Sequence, residues 1–305
     1  MSTKFNFQEL YEFSQSIGCD AALNEEMAKN ISFKVGGPCG VRISPKNIEE
    51  LKKVIEKANE LNVPFIVLGN GTNVLVPDEG IEKAVIIIGS NMASMQVENE
   101  NVLSFSAGTN LVSLCRFAHE NSLSGLEFAF GIPGTCGGAV YMNAGAYGGE
   151  MKDVLTEITH LTPDMKIETI SAQDANLSYR HSVYKENGCI ILSAKVQLKK
   201  DNSEDIKFRM NDFLGRRKDK QPLEYPSAGS TFKRPEGYFA GALIEQCNLK
   251  GRMLGGAQVS DKHAGFVINK DNATAKDIFD IIELCKDTVK KETGVTLEPE
   301  VIVLR

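Results

Sequence analysis

The sequence contains no tryptophan and only four histidines, and none of its seven cysteines belongs to a CxxC pair. An odd number of dispersed cysteines excludes a regular disulfide framework and is typical of reduced thiols in a cytosol. So few histidines, without paired cysteines, also argue against a zinc or other metal centre. The chain is therefore expected to be cytoplasmic and to hold no metal.

Long apolar runs and blocks of one charge are also missing. No uninterrupted apolar stretch approaches the ~20 residues that a membrane span requires. The N-terminal MSTKFNFQELYEF carries early charges and no long apolar core, so we do not expect a signal peptide. The formal net charge is −6, with acidic and basic residues interspersed. This pattern predicts neither a membrane nor a nucleic acid as partner, although a local basic pocket for an anionic small molecule remains open.

The chain is long enough for two domains and mixes helical and strand patterns throughout. Its 305 residues, 42% hydrophobic and 24% charged, are ordinary for a globular protein with a real core. Apolar residues recur at helical spacing in 44–64 and again from Ala275 to about Lys291, whereas residues 153–198 read as strands. Composition turns polar near Lys199, which marks a candidate boundary. These patterns predict an α+β fold.

The first of two glycine loops is LGNGTNVLV, residues 68–76. Glycine at the end of a buried strand lets backbone approach a ligand, and successive N–H groups make a concave anion site. Asn-Gly is equally a leading signal for a β-hairpin turn. From this loop alone, the hairpin is the favoured interpretation.

The second loop, GIPGTCGGAVYMNAGAYGGE at 131–150, holds seven glycines, more than a simple turn needs. The segment GIPGTCGGAV is predicted to enter a helix whose N–H groups are free to meet a pyrophosphate. The Rossmann GxGxxG and Walker A patterns are both absent. The two loops therefore favour a phosphorylated dinucleotide bound in another architecture.

Several motifs resemble one enzyme family, the UDP-N-acetylenolpyruvoylglucosamine reductases. KVGGPC, VLGNGTNVLV and the 131–150 run look like its flavin domain, and YRHS, PSAGSTFKRP, AQVSDKHAGFVIN and LEPEV follow in the family's order. The resemblance implies a two-lobed FAD-binding domain of the vanillyl-alcohol oxidase (PCMH) type and a C-terminal α+β substrate-binding domain. The expected boundaries are an N-terminal helical lead-in at 1–26, the FAD domain of two subdomains at 27–199, and the substrate domain at 200–305, with its last strand returning to the active site.

The resemblance also implies the cofactors and the reaction. Noncovalent FAD and the cosubstrate NADPH would reduce the enolpyruvyl double bond of a UDP-sugar, yielding UDP-N-acetylmuramate for peptidoglycan, in a monomeric protein. Residues matching the family's cofactor site are Gly69, Asn70, Gly71, Thr72, Asn73, Gly131, Ile132, Pro133, Gly134, Gly138 and Gly145.

Three residues match the family's catalytic positions. Arg180 offers a planar donor fork for the substrate carboxylate, although a surface arginine is the plainer interpretation. Ser230 matches the proton donor and reads otherwise as a turn serine beside Gly229. Glu300 matches the acidic partner, for which burial is expected to raise the pKa; otherwise it is an exposed charge at a strand start. The matching substrate residues are Lys220, Lys233, Arg234 and His263, each with a plainer surface or core interpretation.

Two alternatives remain open. One is a flavin oxidase of the same superfamily that acts on an alcohol or sugar; many such oxidases attach FAD covalently through a histidine or cysteine, for which His119 and Cys136 are the nearest candidates. The other is a non-enzymatic nucleotide-binding module, in which Arg180, Ser230 and Glu300 need not converge. The sequence also resembles the shorter form of the family, which lacks a tyrosine-bearing loop over the substrate, because SVYKENG before the Cys189 strand is too short for it.

Overall fold

The computed structural model describes residues 5–305, and the chain divides into two compact units. Unit 1 comprises the chain up to Ala22, then Val41–Asn70 and Ala84–Arg217. Unit 2 comprises Leu23–Gly40, Gly71–Lys83 and Lys218–Arg305. The chain therefore passes from unit 1 to unit 2 inside the first glycine loop, between Asn70 and Gly71. The domain boundaries given above stay a prediction.

Unit 1 contains two main sheets. The residues of the four-stranded sheet fall mainly in this unit, in the order β1 (Asp20–Leu23), β2 (Cys39–Ser44), β5 (Ile81–Ile87), β3 (Phe65–Leu68). The five-stranded sheet has the order β12 (Ile167–Ser171), β11 (Leu155–Leu161), β13 (Ile190–Gln197), β7 (Val102–Ser106), β6 (Met95–Asn99). Two short pairs complete the strands: β9 (Gly145–Ala146) with β10 (Gly149–Glu150), and β8 (Leu123–Ser124) with β14 (Lys199–Lys200).

The helices of unit 1 follow their sequence patterns. They are α1 (Phe7–Ser16), α2 (Ile48–Glu60), α3 (Leu111–Glu120), α4 (Cys136–Tyr141) and α5 (Ser203–Lys220), the last belonging to unit 1 as far as Arg217. Of the apolar residues at helical spacing, Leu51, Val54, Ile55 and Ala58 of α2 are buried, whereas Ile48 at its start and Leu61 just after it are half-buried. Asn47 caps this helix by accepting a hydrogen bond from the Glu50 N–H at 2.8 Å.

A buried carboxylate ties α5 into unit 1. Glu127 lies just after β8 and accepts hydrogen bonds from the Gly125 N–H, the Ser124 hydroxyl and the Arg209 guanidinium of α5. The burial of Glu127 opposes its ionisation, but these donors and the backbone outweigh that effect and lower its pKa. The Glu127 carboxylate can therefore stay ionised although it is buried, because Arg209 and its other donors supply the hydrogen bonds that a buried charge requires.

Unit 2 is smaller, and in it the C-terminal strand pairs with the strand that follows the first glycine loop. Its strands are β4 (Val74–Leu75), β18 (Ile302–Val303), and an antiparallel trio of β15 (Met253–Leu254), β16 (Ala257–Val259) and β17 (Val267–Asn269). Its helices are α6 (Ala240–Gln246) and α7 (Ala275–Thr293). The predicted apolar face of α7 is buried: Ile278, Ile281, Ile282, Cys285 and Val289.

The hairpin interpretation of residues 68–76 is wrong. Strand β3, before the loop, pairs in parallel with β5, whereas β4, after the loop, pairs in parallel with β18. The two strands on either side of the glycines are therefore not partners, and Asn70-Gly71 joins two separate sheets. The hairpin signal failed because it reads only local turn propensity, while the strand partners lie far along the chain.

The sequence expectation for the N-terminal lead-in is only partly met. Helix α1 covers Phe7–Ser16, but β1 follows at Asp20–Leu23, and residues 1–4 lie outside the described part. Across residues 5–305, every helix is too short or too polar to cross a lipid bilayer. The seven cysteines, all within residues 5–305, form no disulfide bonds.

Candidate active site

The two glycine segments meet in unit 1. Gly69 follows β3 directly, and a β-carbon on it would overlap the hydroxyl oxygen of Thr135, so this close approach requires glycine. Thr135 is buried and caps α4, because its hydroxyl accepts a hydrogen bond from the Gly138 N–H at 3.3 Å. Residues 69 and 135, which the sequence only suggested as parts of one site, are in direct contact.

The prediction that free helical N–H groups of the second loop face a pyrophosphate is wrong for the first turn of α4. The Cys136 N–H donates to the Thr109 carbonyl at 2.7 Å, and the Gly137 N–H donates to the Ala107 carbonyl at 2.9 Å. With the Gly138 N–H bonded to Thr135, the first three N–H groups of the helix have protein partners. Position 137 requires glycine, because its backbone lies against Ala107 and a β-carbon there would be 2.7 Å from the Ala107 β-carbon.

The exposed part of the 131–150 segment lies instead at Gly138 and at the residues just before α4. Gly138 is exposed, and a β-carbon there would have only the Thr135 hydroxyl oxygen within 4 Å, at 3.5 Å. Pro133 is exposed and Ile132 is half-buried. The nearby strand β3, although wholly apolar, has all four residues only half-buried. Bare backbone at Gly138 together with partly exposed apolar side chains fits a large cofactor with a flat ring, as FAD has.

The 131–150 segment also accepts hydrogen bonds from the loop that carries Arg180. The Arg180 guanidinium donates to the Gly145 carbonyl at 3.4 Å and lies over the Tyr179 ring, 5.1 Å from its centroid. The Ser182 hydroxyl donates to the Tyr141 carbonyl at 2.7 Å. The predicted carboxylate-binding arginine is therefore attached to the predicted cofactor loop within one unit.

Asn143, at the centre of this attachment, was not singled out from the sequence. It is fully buried with a φ of 43°. Its amide nitrogen donates to Glu150 at 2.7 Å and to the Ser178 carbonyl at 2.9 Å, and its amide oxygen accepts from the Lys152 N–H at 2.9 Å. The only local signal was the tolerance of asparagine for a left-handed backbone.

In unit 2, Ser230 and Glu300 lie on neighbouring segments. Phe232 and Pro299 form an antiparallel bridge, and the Glu300 N–H donates to the Thr231 carbonyl at 2.8 Å. Ser230 is exposed and Glu300 is half-buried. The structure therefore brings two of the three predicted catalytic residues onto one short ladder, while Arg180 belongs to unit 1.

Buried Thr231 fixes the backbone next to Ser230. Its N–H donates to the Gly265 carbonyl at 2.9 Å, and its hydroxyl oxygen accepts from the Val267 N–H at 2.9 Å. Gly229, on the other side, has a φ of 76° and open space around it. The exposed Ser230 therefore follows an unhindered glycine and precedes a residue whose backbone and side chain are fixed by hydrogen bonds.

The first glycine loop reaches the Glu300 segment in unit 2. The Asn73 amide nitrogen donates to the Glu300 carbonyl at 3.1 Å, and the Ile302 N–H donates to the Asn73 carbonyl at 3.0 Å. Gly71 packs its backbone near the Asn30 carbonyl, where a β-carbon would lie 2.5 Å from the oxygen. Thr72, between Gly71 and Asn73 in the chain, is half-buried. Asn73, expected at the cofactor, thus holds the backbone of the predicted catalytic acid.

The predicted substrate residues lie in unit 2 and differ in their settings. Lys220 is the exposed last residue of α5. Lys233 donates to the Glu298 carboxylate at 3.1 Å, and Arg234 lies over the Phe239 ring, 4.0 Å from its centroid. His263 accepts the Gly265 N–H at Nδ1, at 3.0 Å. Burial lowers the pKa of His263, although a backbone hydrogen bond partly opposes it, and this direction favours the neutral ring.

The two candidate sites for covalent flavin attachment are poorly suited to it. Cys136 is fully buried, and burial raises the pKa of its thiol well above the ordinary value, which disfavours the reactive thiolate. The His119 Nε2 lies 3.0 Å from the Ser203 hydroxyl oxygen. The Cys136 thiol is therefore inaccessible and the His119 Nε2 is engaged by Ser203, so neither residue supports a covalently flavinylated oxidase.

Comparison with known proteins assigns the chain first to a class and then to a family. The family model "FAD binding domain" matches residues 40–171, so this is an FAD-binding protein of the α+β class, as the fold predicted. The model "UDP-N-acetylenolpyruvoylglucosamine reductase, C-terminal domain" matches residues 221–304.

Relatives over nearly the full length agree with these matches. The UDP-N-acetylenolpyruvoylglucosamine reductase of Syntrophomonas wolfei is 48% identical, over 92% of this chain and 94% of its own. That of Agathobacter rectalis is 47% identical, over 91% and 92%. The crystal structure of UDP-N-acetylenolpyruvylglucosamine reductase from Thermus caldophilus matches with a TM-score of 0.79 at 34% identity, covering 94% of this chain and 99% of its own. The chain belongs to the UDP-N-acetylenolpyruvoylglucosamine reductase family.

Proposed function

We propose that this protein reduces UDP-N-acetylglucosamine enolpyruvate to UDP-N-acetylmuramate, with NADPH as the electron donor and FAD as the cofactor. The observation that carries this proposal is the pairing of the Ser230 and Glu300 segments in unit 2. It occurs in a chain that belongs to the reductase family by sequence over nine-tenths of its length. The protein would act in the cytoplasm as a monomer, in the synthesis of the peptidoglycan precursor.

FAD, when bound, supplies hydride chemistry. The residues proposed to hold it are those of the two glycine loops. Gly69, Gly138 and Pro133 would offer bare or apolar surface, and Asn70 and Thr72 would offer polar donors. The contact between Gly69 and Thr135 keeps the two loops of unit 1 together without a side chain at position 69. Noncovalent binding is consistent with the buried Cys136 thiol.

Arg180 would bind the carboxylate of the enolpyruvyl group. Reduction of that double bond places negative charge next to the carboxylate, and a preorganised cation stabilises developing charge most. The planar guanidinium offers two parallel donors to a carboxylate. Its anchoring to the Gly145 carbonyl would fix its orientation before substrate arrives.

Ser230 would protonate the adjacent carbon, and Glu300 would assist at the developing anion. A general acid must stand within hydrogen-bond reach of the atom that it protonates. Ser230 is suited to this because its side chain is exposed while the following residue, Thr231, is fixed by two hydrogen bonds. Lys220, Lys233, Arg234 and His263 are proposed to contact the UDP portion.

A direct assay tests the function. FAD-loaded protein is mixed with NADPH and UDP-N-acetylglucosamine enolpyruvate, and the loss of NADPH absorbance is followed with the formation of UDP-N-acetylmuramate. We expect oxidation of NADPH to require the enolpyruvate and to release product in equal amount. Oxidation that proceeds equally without it, with consumption of oxygen, would instead indicate an oxidase.

A further inference from the structure

An exposed loop in unit 2 carries two aromatic residues, Tyr238 and Phe239, that have no role in the function proposed above. This loop, residues 234–239, follows Lys233 and ends at the first residue before α6. The side chain of Tyr238 is 49% exposed and that of Phe239 is 62% exposed. Two adjacent large aromatic side chains left in solvent mark a binding surface more often than single scattered ones do.

The loop is held in one shape by its own contacts. The Tyr238 N–H donates to the Pro235 carbonyl at 3.1 Å, closing a tight turn in which Gly237 has a φ of 74°. The Arg234 Nε donates to the Tyr238 carbonyl at 3.3 Å, and its guanidinium stacks 4.0 Å from the Phe239 ring centroid. The aromatic surface is therefore preorganised, which reduces the entropy lost when a ligand binds.

The loop also continues from the proposed catalytic segment. Ser230 begins the stretch that pairs with Glu298–Glu300, and Lys233 continues it by donating its N–H to the Glu298 carbonyl at 2.8 Å. At about 3.3 Å per extended residue, Arg234 stands roughly 13 Å along the chain from Ser230. The aromatic loop therefore begins close enough to Ser230 to contact the far end of a long substrate whose near end reacts beside that serine.

His263 lies beside the same loop. Gly241, two residues after Phe239, packs so closely that a β-carbon there would be 3.3 Å from the His263 Cε1. In its neutral form the ring of His263 can donate through Nε2, since its Nδ1 accepts the Gly265 N–H. Two cationic side chains, two exposed aromatic rings and one neutral donor thus share this part of unit 2.

We propose that Tyr238 and Phe239 form a stacking platform for the nucleobase of a nucleoside diphosphate, with Arg234 and Lys233 facing the phosphates. Aromatic side chains stack on any base through its π face, and an adjacent guanidinium adds a cation–π and a diphosphate contact. On the proposed function, on which this inference rests, the base is the uracil of the UDP-sugar. The platform would then bind the far end of the substrate in a chain that lacks the tyrosine-bearing loop. NADPH carries the same chemistry, a base beside a diphosphate, and the test separates the two sources.

The test measures binding of UDP to FAD-loaded protein by titration calorimetry, which needs no turnover. We expect Phe239→Ala to raise the Kd for UDP by roughly 5- to 150-fold and Phe239→Tyr to restore it. Tyr238→Ala should weaken binding in the same direction. Phe208→Ala is the matched control, because Phe208 is 73% exposed on α5 and should leave the Kd unchanged. Melting temperature and flavin content should be unaltered in all four variants, since these rings are exposed.

The source of the base is resolved by a parallel measurement of flavin bleaching by NADPH under anaerobic conditions. An unchanged NADPH dependence with weaker UDP binding supports uracil on the platform. A raised NADPH requirement with unchanged UDP binding supports the platform but assigns it to the dinucleotide. If the Tyr238→Ala/Phe239→Ala double variant binds both ligands as the wild type does, the platform is refuted. Failure of the proposed function looks different: wild-type protein would not turn over the enolpyruvate, whatever the variants bind.

Discussion

The side-chain amide of Asn73 donates a hydrogen bond to the backbone carbonyl of Glu300 at 3.1 Å, across 227 positions of the chain. The same asparagine accepts the Ile302 N–H through its own carbonyl. One residue of the first glycine loop therefore fixes the backbone that carries the proposed catalytic acid. A residue predicted from the sequence to contact the cofactor thus holds, within unit 2, the backbone of the proposed acid.

Ser230→Ala should separate the two halves of the proposed reaction. We expect bleaching of the flavin by NADPH to proceed at the wild-type rate, because the serine is not needed until the enolpyruvyl carbon accepts its proton. Reoxidation by UDP-N-acetylglucosamine enolpyruvate should slow by about 100- to 10,000-fold, the usual contribution of a general acid. Stopped-flow absorbance of each half-reaction measures both. Ser227→Ala, in the same loop, should slow neither, and equal losses in both halves for Ser230→Ala would remove its assigned role.

Gly138→Val should remove the flavin while leaving the fold intact. A side chain at this position would enter open space beside Thr135, where the cofactor is proposed to lie. The control is Gly215→Val in α5, where a β-carbon would have nothing within 4 Å and which likewise introduces a β-branched residue into a helix. The flavin-to-protein ratio after purification and the melting temperature of the apoprotein are compared. Full flavin content in the Gly138 variant would show that the cofactor does not approach this surface.

Asn143→Ala should destabilise the protein by roughly 3 kcal/mol, because it removes the three hydrogen bonds that the fully buried Asn143 side chain makes to partly buried groups of Glu150, Ser178 and Lys152. Urea unfolding of the apoprotein measures the change in the free energy of unfolding. Asn176→Ala is the control, since Asn176 also has a positive φ, of 47°, but is exposed. A loss no greater than that of the control would mean that strain, and not the hydrogen bonds, accounts for the effect.

Lowering the pH should reduce the free energy of unfolding, because Glu127 becomes protonated. The pKa of this carboxyl is lowered in the folded state from its ordinary value of 4.5, despite the burial that opposes ionisation. A lowered folded pKa stabilises the protein above the unfolded pKa, and the stabilisation is lost as pH falls from about 4.5 through the folded value. The free energy of unfolding measured at intervals from pH 6 to pH 3 should fall more steeply for the wild type than for Glu127→Gln. Glu56→Gln, at an exposed position of α2, should follow the wild-type curve. Parallel curves for the wild type and Glu127→Gln would contradict the assignment.

Local sequence patterns determined much of this protein. The periodicities of α2 and α7 fixed their buried faces, because helical spacing places those residues on one side whatever the partner is. The density of glycine at 131–150 indicated a surface of bare backbone, and Gly138 provides one. The ordered motifs of both halves identified the family, which the comparisons then confirmed.

Only the tertiary structure decided which of these groups are available. The Asn-Gly loop reads locally as a hairpin, yet β3 and β4 pair with β5 and β18, because strand pairing depends on partners distant in the chain. The first N–H groups of α4 look free in sequence, yet the carbonyls of Thr109 and Ala107 accept two of them. Hydrogen bonds such as those of Asn143 and Asn73 join segments that no local pattern relates, since each is satisfied only once the chain has folded around it.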